Sequence, residues 1–188
     1  METVGDRLTI PDTLCLAKAA AAGDAEAFDR LMQTYGDRVF RLALRMLGNR
    51  EDAEDIQQEA FVRAYRKLHT LRGAASFGAW IYAITARLCL SRRRRSAGQP
   101  AEVCLPPEGL SGTDCDPQDR LAAADAAARV QQALDRLPPP DRLLILLKHV
   151  EDLSHQEIAG VLKCSVQSSR SRLARAKRLF RERYREEG

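Results

Sequence analysis

The stretch from Ser96 to Asp119 most constrains what this chain can fold into. It holds Pro100, Pro106, Pro107 and Pro117 together with Gly98, Gly109 and Gly112. It carries five acidic side chains and no basic one. Proline removes a backbone donor and breaks regular elements, glycine adds backbone freedom, and like charges repel. No hydrophobic periodicity survives here, so the segment reads as an extended tether that divides the 188-residue chain into two blocks. The predicted organisation is a first domain over 1–95, a linker over 96–119 and a second domain over 120–188.

Both blocks carry a helical period. Asp12 is a plausible N-cap for a short helix that stops at Gly23. Phe28, Leu31, Met32, Tyr35, Val39, Leu42, Ala43 and Met46 then recur at spacings of three and four, and Gly48-Asn49 ends that run. Ala53, Ile56, Ala60, Ala64 and Leu68 give a third helix one buried stripe. A turn at Gly73 and Ser76 leads to a fourth, with Phe77, Trp80, Ile81, Ile84 and Leu88 facing inward. After the linker, Asp116-Pro117 suits a helix start. That helix runs through Leu121, Ala124, Ala128 and Leu134 until Pro138-Pro139-Pro140 breaks it. An apolar helix over Leu143 to Leu147 and two more around Glu157 and Arg172 complete the block. No segment alternates with period two. The predicted fold class is all-α: two small helical domains joined by an acidic flexible linker.

Composition narrows the function classes. Charged residues make up 30% of the chain and no apolar run is long enough for a membrane span, which argues for a soluble protein. The N-terminus has no basic segment followed by an apolar one, so no signal peptide is expected. The five cysteines (Cys15, Cys89, Cys104, Cys115, Cys164) form an odd set without a CxxC pair. That favours a reducing, cytoplasmic compartment over a disulfide framework. His149, His155 and Cys164 are spaced wrongly for a common zinc site, so neither a metal nor another cofactor is expected.

The charge is unevenly placed. Residues 1–91 balance to zero, Arg92 to Arg95 add +4, the linker carries −5, residues 120–162 carry −1 and residues 163–188 carry +6. Two basic patches on either side of an acidic tether fit a polyanion touched at two places. Taken singly, each patch also fits a solvated charge run.

The second patch lies on a recognisable unit. Ser154 and Glu157 have the spacing of a capping box, and Ile158, Ala159 and Leu162 face inward. Lys163-Cys164-Ser165 is the length of a turn between crossed helices, with Ser165 placed to cap the next one. On that next helix, Val166, Ser169, Leu173, Ala176 and Phe180 share one stripe, while Ser168, Ser171, Arg175 and Arg178 share the opposite face. A helix packed by one side and offering Ser and Arg from the other fits a DNA major groove. The alternative is a solvated basic helix closing a small bundle.

Glu157-Ile158-Ala159, Ser165, Ser171-Arg172-Leu173 and Arg175-Ala176 together resemble the fourth conserved region of bacterial sigma factors, with Leu134 to Arg142 as its lead-in. Asp52-Ala53-Glu54-Asp55, Gln58-Glu59, Phe61 and Trp80 to Ile84 resemble the second region. The two regions, without a folded domain between them, resemble the extracytoplasmic-function (ECF) group over about 24–95 and 121–185.

The resemblance implies a non-enzymatic subunit that binds core RNA polymerase and directs initiation at chosen promoters. Asp52, Asp55, Gln58 and Glu59 would meet the clamp helices of the β′ subunit, and the β flap would be a further contact on the polymerase. Charges of this kind steer encounter and set register. A solvated acidic first turn is the other reading of those carboxylates. The minus-ten element would be met by Arg72, Ser76, Arg87 and Arg92, Arg93, Arg94 and Arg95. Phe77 and Trp80 fall on the buried stripe and read as core. Ser168, Arg170, Ser171 and Arg175 would contact the minus-thirty-five element, with Arg142 and Arg178 on phosphates. An anti-sigma partner, commonly membrane-anchored, is also implied. The acidic linker would either mimic nucleic acid inside the polymerase or act as a spacer.

Several positions depart from the family pattern. Arg87 stands where Asn is usual, and Lys163 where the turn usually has Gly. Gln167-Ser168-Ser169 replaces the common Gly-Thr-Val. Ser169 puts a hydroxyl on the apolar stripe, where a bond back to the Ser165 carbonyl would satisfy it. Two other readings compete with the sigma-factor one. A helix-turn-helix regulator independent of polymerase explains the second domain but not the Asp52 to Phe61 motif. A metal-dependent nuclease would use Asp52, Asp55 and Glu59, but three acids on one helix do not converge as a cage.

Overall fold

The structure is a computed structural model that describes residues 10–71, 76–95 and 117–186. Arg72, Gly73, the linker to Asp116, Cys104 and Cys115 lie outside the described residues. Among those described, every regular element is helical: α1 (Ile10–Ala21), α2 (Ala25–Leu47), α3 (Arg50–Lys67), a 3-10 turn (Leu68–Thr70), α4 (Phe77–Arg95), α5 (Pro117–Asp135), α6 (Pro139–His149), α7 (His155–Leu162) and α8 (Val166–Glu186).

Local chemistry sets most boundaries. Asp24 caps α2 by accepting the Ala27 N–H at 3.1 Å, and Gly48 ends it in the left-handed region at φ 74°. Asn49 caps α3 by accepting from Asp52 N. Two boundaries differ from expectation. α1 starts at Ile10, so Asp12 lies in the first turn instead of before it. Pro139 and Pro140 do not merely break α5: they open α6, where their missing N–H groups would have no intrahelical partner anyway.

Helices α1 to α4 form one bundle and α5 to α8 the other. α2 and α4 meet closely at Gly78, where a Cβ would fall 2.9 Å from the Tyr35 ring. The rings of Tyr35 and Phe77 then lie 5.3 Å apart between centroids. The two bundles are not held apart. Leu31, Val39, Phe77 and Ile81 of the first share one buried apolar cluster with Leu143, Leu146, Leu147 and Ile158 of the second. α7 lies on α4, and α6 on α2 and α4. Each large side chain buried this way contributes about 1.5–3 kcal/mol.

Buried polar groups cross the same junction. Arg142 is fully buried. Its Nε donates to Leu134 O at 2.7 Å, and its Nη1 to Met46 O at 3.0 Å and Asp135 at 2.8 Å. The carboxylate of Glu151, only 2% exposed, accepts from Arg38 Nε at 3.1 Å and from the Tyr82 hydroxyl. A buried charge is tolerable only when paired and hydrogen-bonded, and each of these is, although among the described residues Arg142 Nη2 has no hydrogen-bond partner.

Candidate nucleic-acid and partner interfaces

The second bundle presents its basic helix on a helix-turn-helix. The capping box is complete: Ser154 Oγ accepts from Glu157 N at 3.2 Å, and Glu157 Oε2 accepts from Ser154 N at 2.9 Å. Lys163 ends α7 in the left-handed region at φ 51°, the conformation for which glycine is the easier residue. Ser165 Oγ accepts from Ser168 N at 3.1 Å and starts α8. Ser169, Leu173 and Ala176 are buried against the bundle. The hydroxyl of Ser169 has no hydrogen-bond partner. The bond that reaches Ser165 O comes from the Ser169 backbone N–H, so the back-bond predicted for this hydroxyl does not form.

On the outer face of α8, Arg170, Ser171, Arg172, Arg175 and Arg178 are exposed and Ser168 is half-buried. Arg175 is held from another helix: its Nη2 lies 2.9 Å from both carboxylate oxygens of Asp141, which is 2% exposed. Arg178 has only a long contact, 3.9 Å, to Glu182 on its own helix. Arg142, predicted on a DNA phosphate, instead spends its donors on carbonyls at the bundle junction. Burial is the main reason its pKa falls to about 10, with Asp135 opposing the shift and Arg93 adding to it. Sequence position alone cannot separate a buried guanidinium from an exposed one.

On the first bundle, Ser76 caps α4 by accepting from Ala79 N at 3.1 Å, and its hydroxyl donates to Glu157 Oε1 at 2.9 Å. Glu157 thus serves its own helix and reaches across to the first bundle. Burial opposes its ionisation. The hydrogen bonds from Ser154 and Ser76 and the charge of Lys148 outweigh that, leaving its pKa below the usual glutamate value. Phe77 is fully buried and Trp80 half-buried, packed ring against ring. Arg87, Arg94 and Arg95 are exposed.

The other two arginines of the basic run are engaged. Arg93 Nη1 donates to Met46 O at 3.2 Å. Arg92 turns to α3, with Nη1 bonded to Asp52 Oδ1 and Nη2 3.4 Å from Asp55 Oδ2. The sequence places Arg92 with the DNA contacts and Asp52 and Asp55 with the partner contacts. The fold brings all three together, because the last turn of α4 passes the first turns of α3. Glu59 pairs with Arg63 on its own helix at 2.5 Å, and Gln58 is exposed.

Along the same helix lies an apolar groove of about 700 Å³, lined by Phe28 and Met32 of α2 and by Gln58, Phe61, Val62, Tyr65 and Arg66 of α3. Met32, Val62 and Tyr65 are 40%, 48% and 59% exposed, high for large apolar side chains. The sequence reading missed this groove. Its signal was that Val62 and Tyr65 fall off the Ala53–Ile56–Ala60–Ala64 stripe, so the inner face of α3 cannot bury them.

Residues 31–98 match the family model for Sigma-70 region 2, and residues 127–180 match the model for Sigma-70, region 4. The chain is 32% identical over 178 residues to the ECF RNA polymerase sigma factor SigW of Bacillus subtilis, covering 90% of this chain and 95% of that protein. It is also 32% identical over 170 residues to the RNA polymerase sigma-H factor of Pseudomonas aeruginosa, covering 86% and 88%. Among solved structures it is similar to CnrH in complex with the cytosolic domain of CnrY. The TM-score is 0.70 at 25% identity, over 90% of this chain and 95% of that one. No described helix is long and apolar enough to cross a membrane.

Proposed function

Because the chain belongs to the ECF sigma factors of RNA polymerase, we propose that it binds core RNA polymerase and directs initiation at promoters recognised in two places. One observation carries this reading. A single chain combines a helix-turn-helix with an exposed arginine face and a second bundle with an exposed apolar groove along α3. A regulator independent of polymerase, whose first domain senses a ligand or dimerises, accounts for the first feature but not for the match of residues 31–98 to Sigma-70 region 2.

The polymerase-binding face comprises Asp55, Gln58 and Glu59 together with the groove at Met32, Val62 and Tyr65. Asp52 contributes through its pair with Arg92, which fixes the direction of both side chains. The apolar groove supplies buried area, and the charges elsewhere along α3 set register. Arg170, Ser171, Arg175 and Arg178 face the upstream promoter element. Arg87, Arg94, Arg95 and Ser76 face the element nearer the start site, and Arg72, outside the described residues, is the further contact expected there. Ser76 must exchange its bond to Glu157 to do so, and the packing of α7 on α4 implies that the bundles separate when both elements are held. A chain of this kind works in the cytoplasm. An anti-sigma protein that keeps the bundles together is the partner expected to oppose it.

The test is retention of core RNA polymerase by the tagged full chain. The wild-type chain should retain it, and Val62→Asp should lose at least about tenfold in affinity, because a desolvated charge in an apolar contact is costly. Val62 is half exposed, so the fold should tolerate the change. Equal retention by both chains would contradict the proposed face, and no retention by the wild type would contradict the function.

A further inference from the structure

We propose that Asp141 is a positioning residue for DNA recognition: it fixes the Arg175 guanidinium and offsets its charge, so that Arg175 reads a base edge instead of gripping phosphate. This rests on the reading of α8 as the DNA-facing helix.

The geometry is specific. Asp141 stands in the first turn of α6, where Pro139 and Pro140 open the helix and the Asp141 N–H donates to Pro138 O at 2.9 Å. Its backbone is therefore fixed, and its carboxylate, 2% exposed, has little room to move. Both carboxylate oxygens accept from the same atom, Arg175 Nη2, at 2.9 Å each. Among the described residues, Arg175 Nε and Nη1 have no hydrogen-bond partner, and the side chain is 59% exposed. Among the described residues, the other α8 arginines have no ion pair to a different helix. Arg178 and Arg183 pair only within α8.

Two consequences follow from charge and entropy. A free arginine carries a full charge, searches many rotamers and attracts any phosphate it can reach, releasing counterions as it does so. Arg175 paired to a buried carboxylate is close to neutral as a unit. Little side-chain entropy remains to be lost, and its leftover donors point in one direction. Such a group gains little from phosphate in general and most from an acceptor pair at a fixed place, as a purine offers in the major groove. Arg170, without such a partner, is the contrasting case on the same helix.

The experiment uses holoenzyme, the full chain assembled with core RNA polymerase, on a promoter library randomised across the upstream element. Wild type, Asp141→Asn, Arg175→Ala and the double variant are compared at several salt concentrations. Arg175→Ala should lose discrimination at one base pair by about 5- to 100-fold, the range for one good base contact. Asp141→Asn should lose a large part of it at the same base pair and steepen the salt dependence. Asp141→Asn should change neither property once Arg175 is Ala, since it acts through Arg175. A loss spread over all positions, or one that persists without Arg175, would overturn the proposal, because it would mean Asp141 merely supports α6. Should Asp141→Asn fail to assemble, Arg175→Lys decides: it keeps the charge, loses the guanidinium geometry and should lose the same preference. A wild-type preference retained by Arg175→Lys would overturn the inference. A wild-type holoenzyme with no upstream preference would instead overturn the reading of α8 itself.

Discussion

Arg142 of α6 donates through Nη1 to the backbone carbonyl of Met46 at the end of α2, 3.0 Å away, across the junction between the two bundles. The same guanidinium holds Leu134 O and Asp135. One side chain thus ties the corner between α5 and α6 to the end of α2, 96 residues earlier in the chain.

Arg142→Ala should therefore cost about 3 kcal/mol of stability, because it leaves buried carbonyls unsatisfied and opens a cavity. Urea unfolding of the full chain measures this. Arg142→Lys should recover only part, since an ammonium cannot span three acceptors in the directions a planar fork allows. A change within about 0.5 kcal/mol of wild type would mean that the junction is not held this way.

Glu157 gives a pH signature. Its folded-state pKa lies below the ordinary value, so its contribution is complete above the unfolded pKa of about 4.3. The contribution is lost as pH falls through the lowered value. Glu157→Gln should be less stable than wild type at pH 7, and the difference should shrink as the pH is taken below about 4. Paired unfolding curves at the two pH values test it. A gap that stays constant would place the role of Glu157 in shape and not in charge.

Ser169 carries a hydroxyl that is buried without a partner. Ser169→Ala should raise stability by about 1 kcal/mol, since the hydroxyl is desolvated and gains nothing in return. Chemical denaturation shows the gain as a higher midpoint at unchanged slope.

Lys163 occupies a left-handed position that suits glycine. Lys163→Gly should stabilise the chain by about 0.5–1 kcal/mol, the backbone relief exceeding the extra entropy of glycine in the unfolded state. A shift of the thermal midpoint upward by a few degrees would report it.

Patterns that repeat within one helix were legible in the sequence, and those that depend on distant partners were not. The α3 stripe, the α2 stripe apart from Met32, which is exposed in the groove, the Gly48 end, the capping box of Ser154 and Glu157, and the burial of Phe77 all follow from spacings of three and four and from cap chemistry. Arg142, Glu151 and Arg92 did not follow. A guanidinium or carboxylate has the same local signature whether it faces solvent or a partner 40 to 113 residues away. The groove at Val62 and Tyr65 lay between these cases: the stripe excluded both residues, but nothing in the sequence said that they would be left uncovered together.

Mounted on core RNA polymerase, this chain should start transcription at promoters it selects. Run-off transcription from a promoter library with core enzyme, with and without the chain, measures this. Transcripts from a defined subset of templates sharing an upstream and a downstream element, present only with the chain and reduced by Val62→Asp, are the predicted result. A verified complex that yields no transcript from any template, or the same transcripts as core enzyme alone, would contradict it.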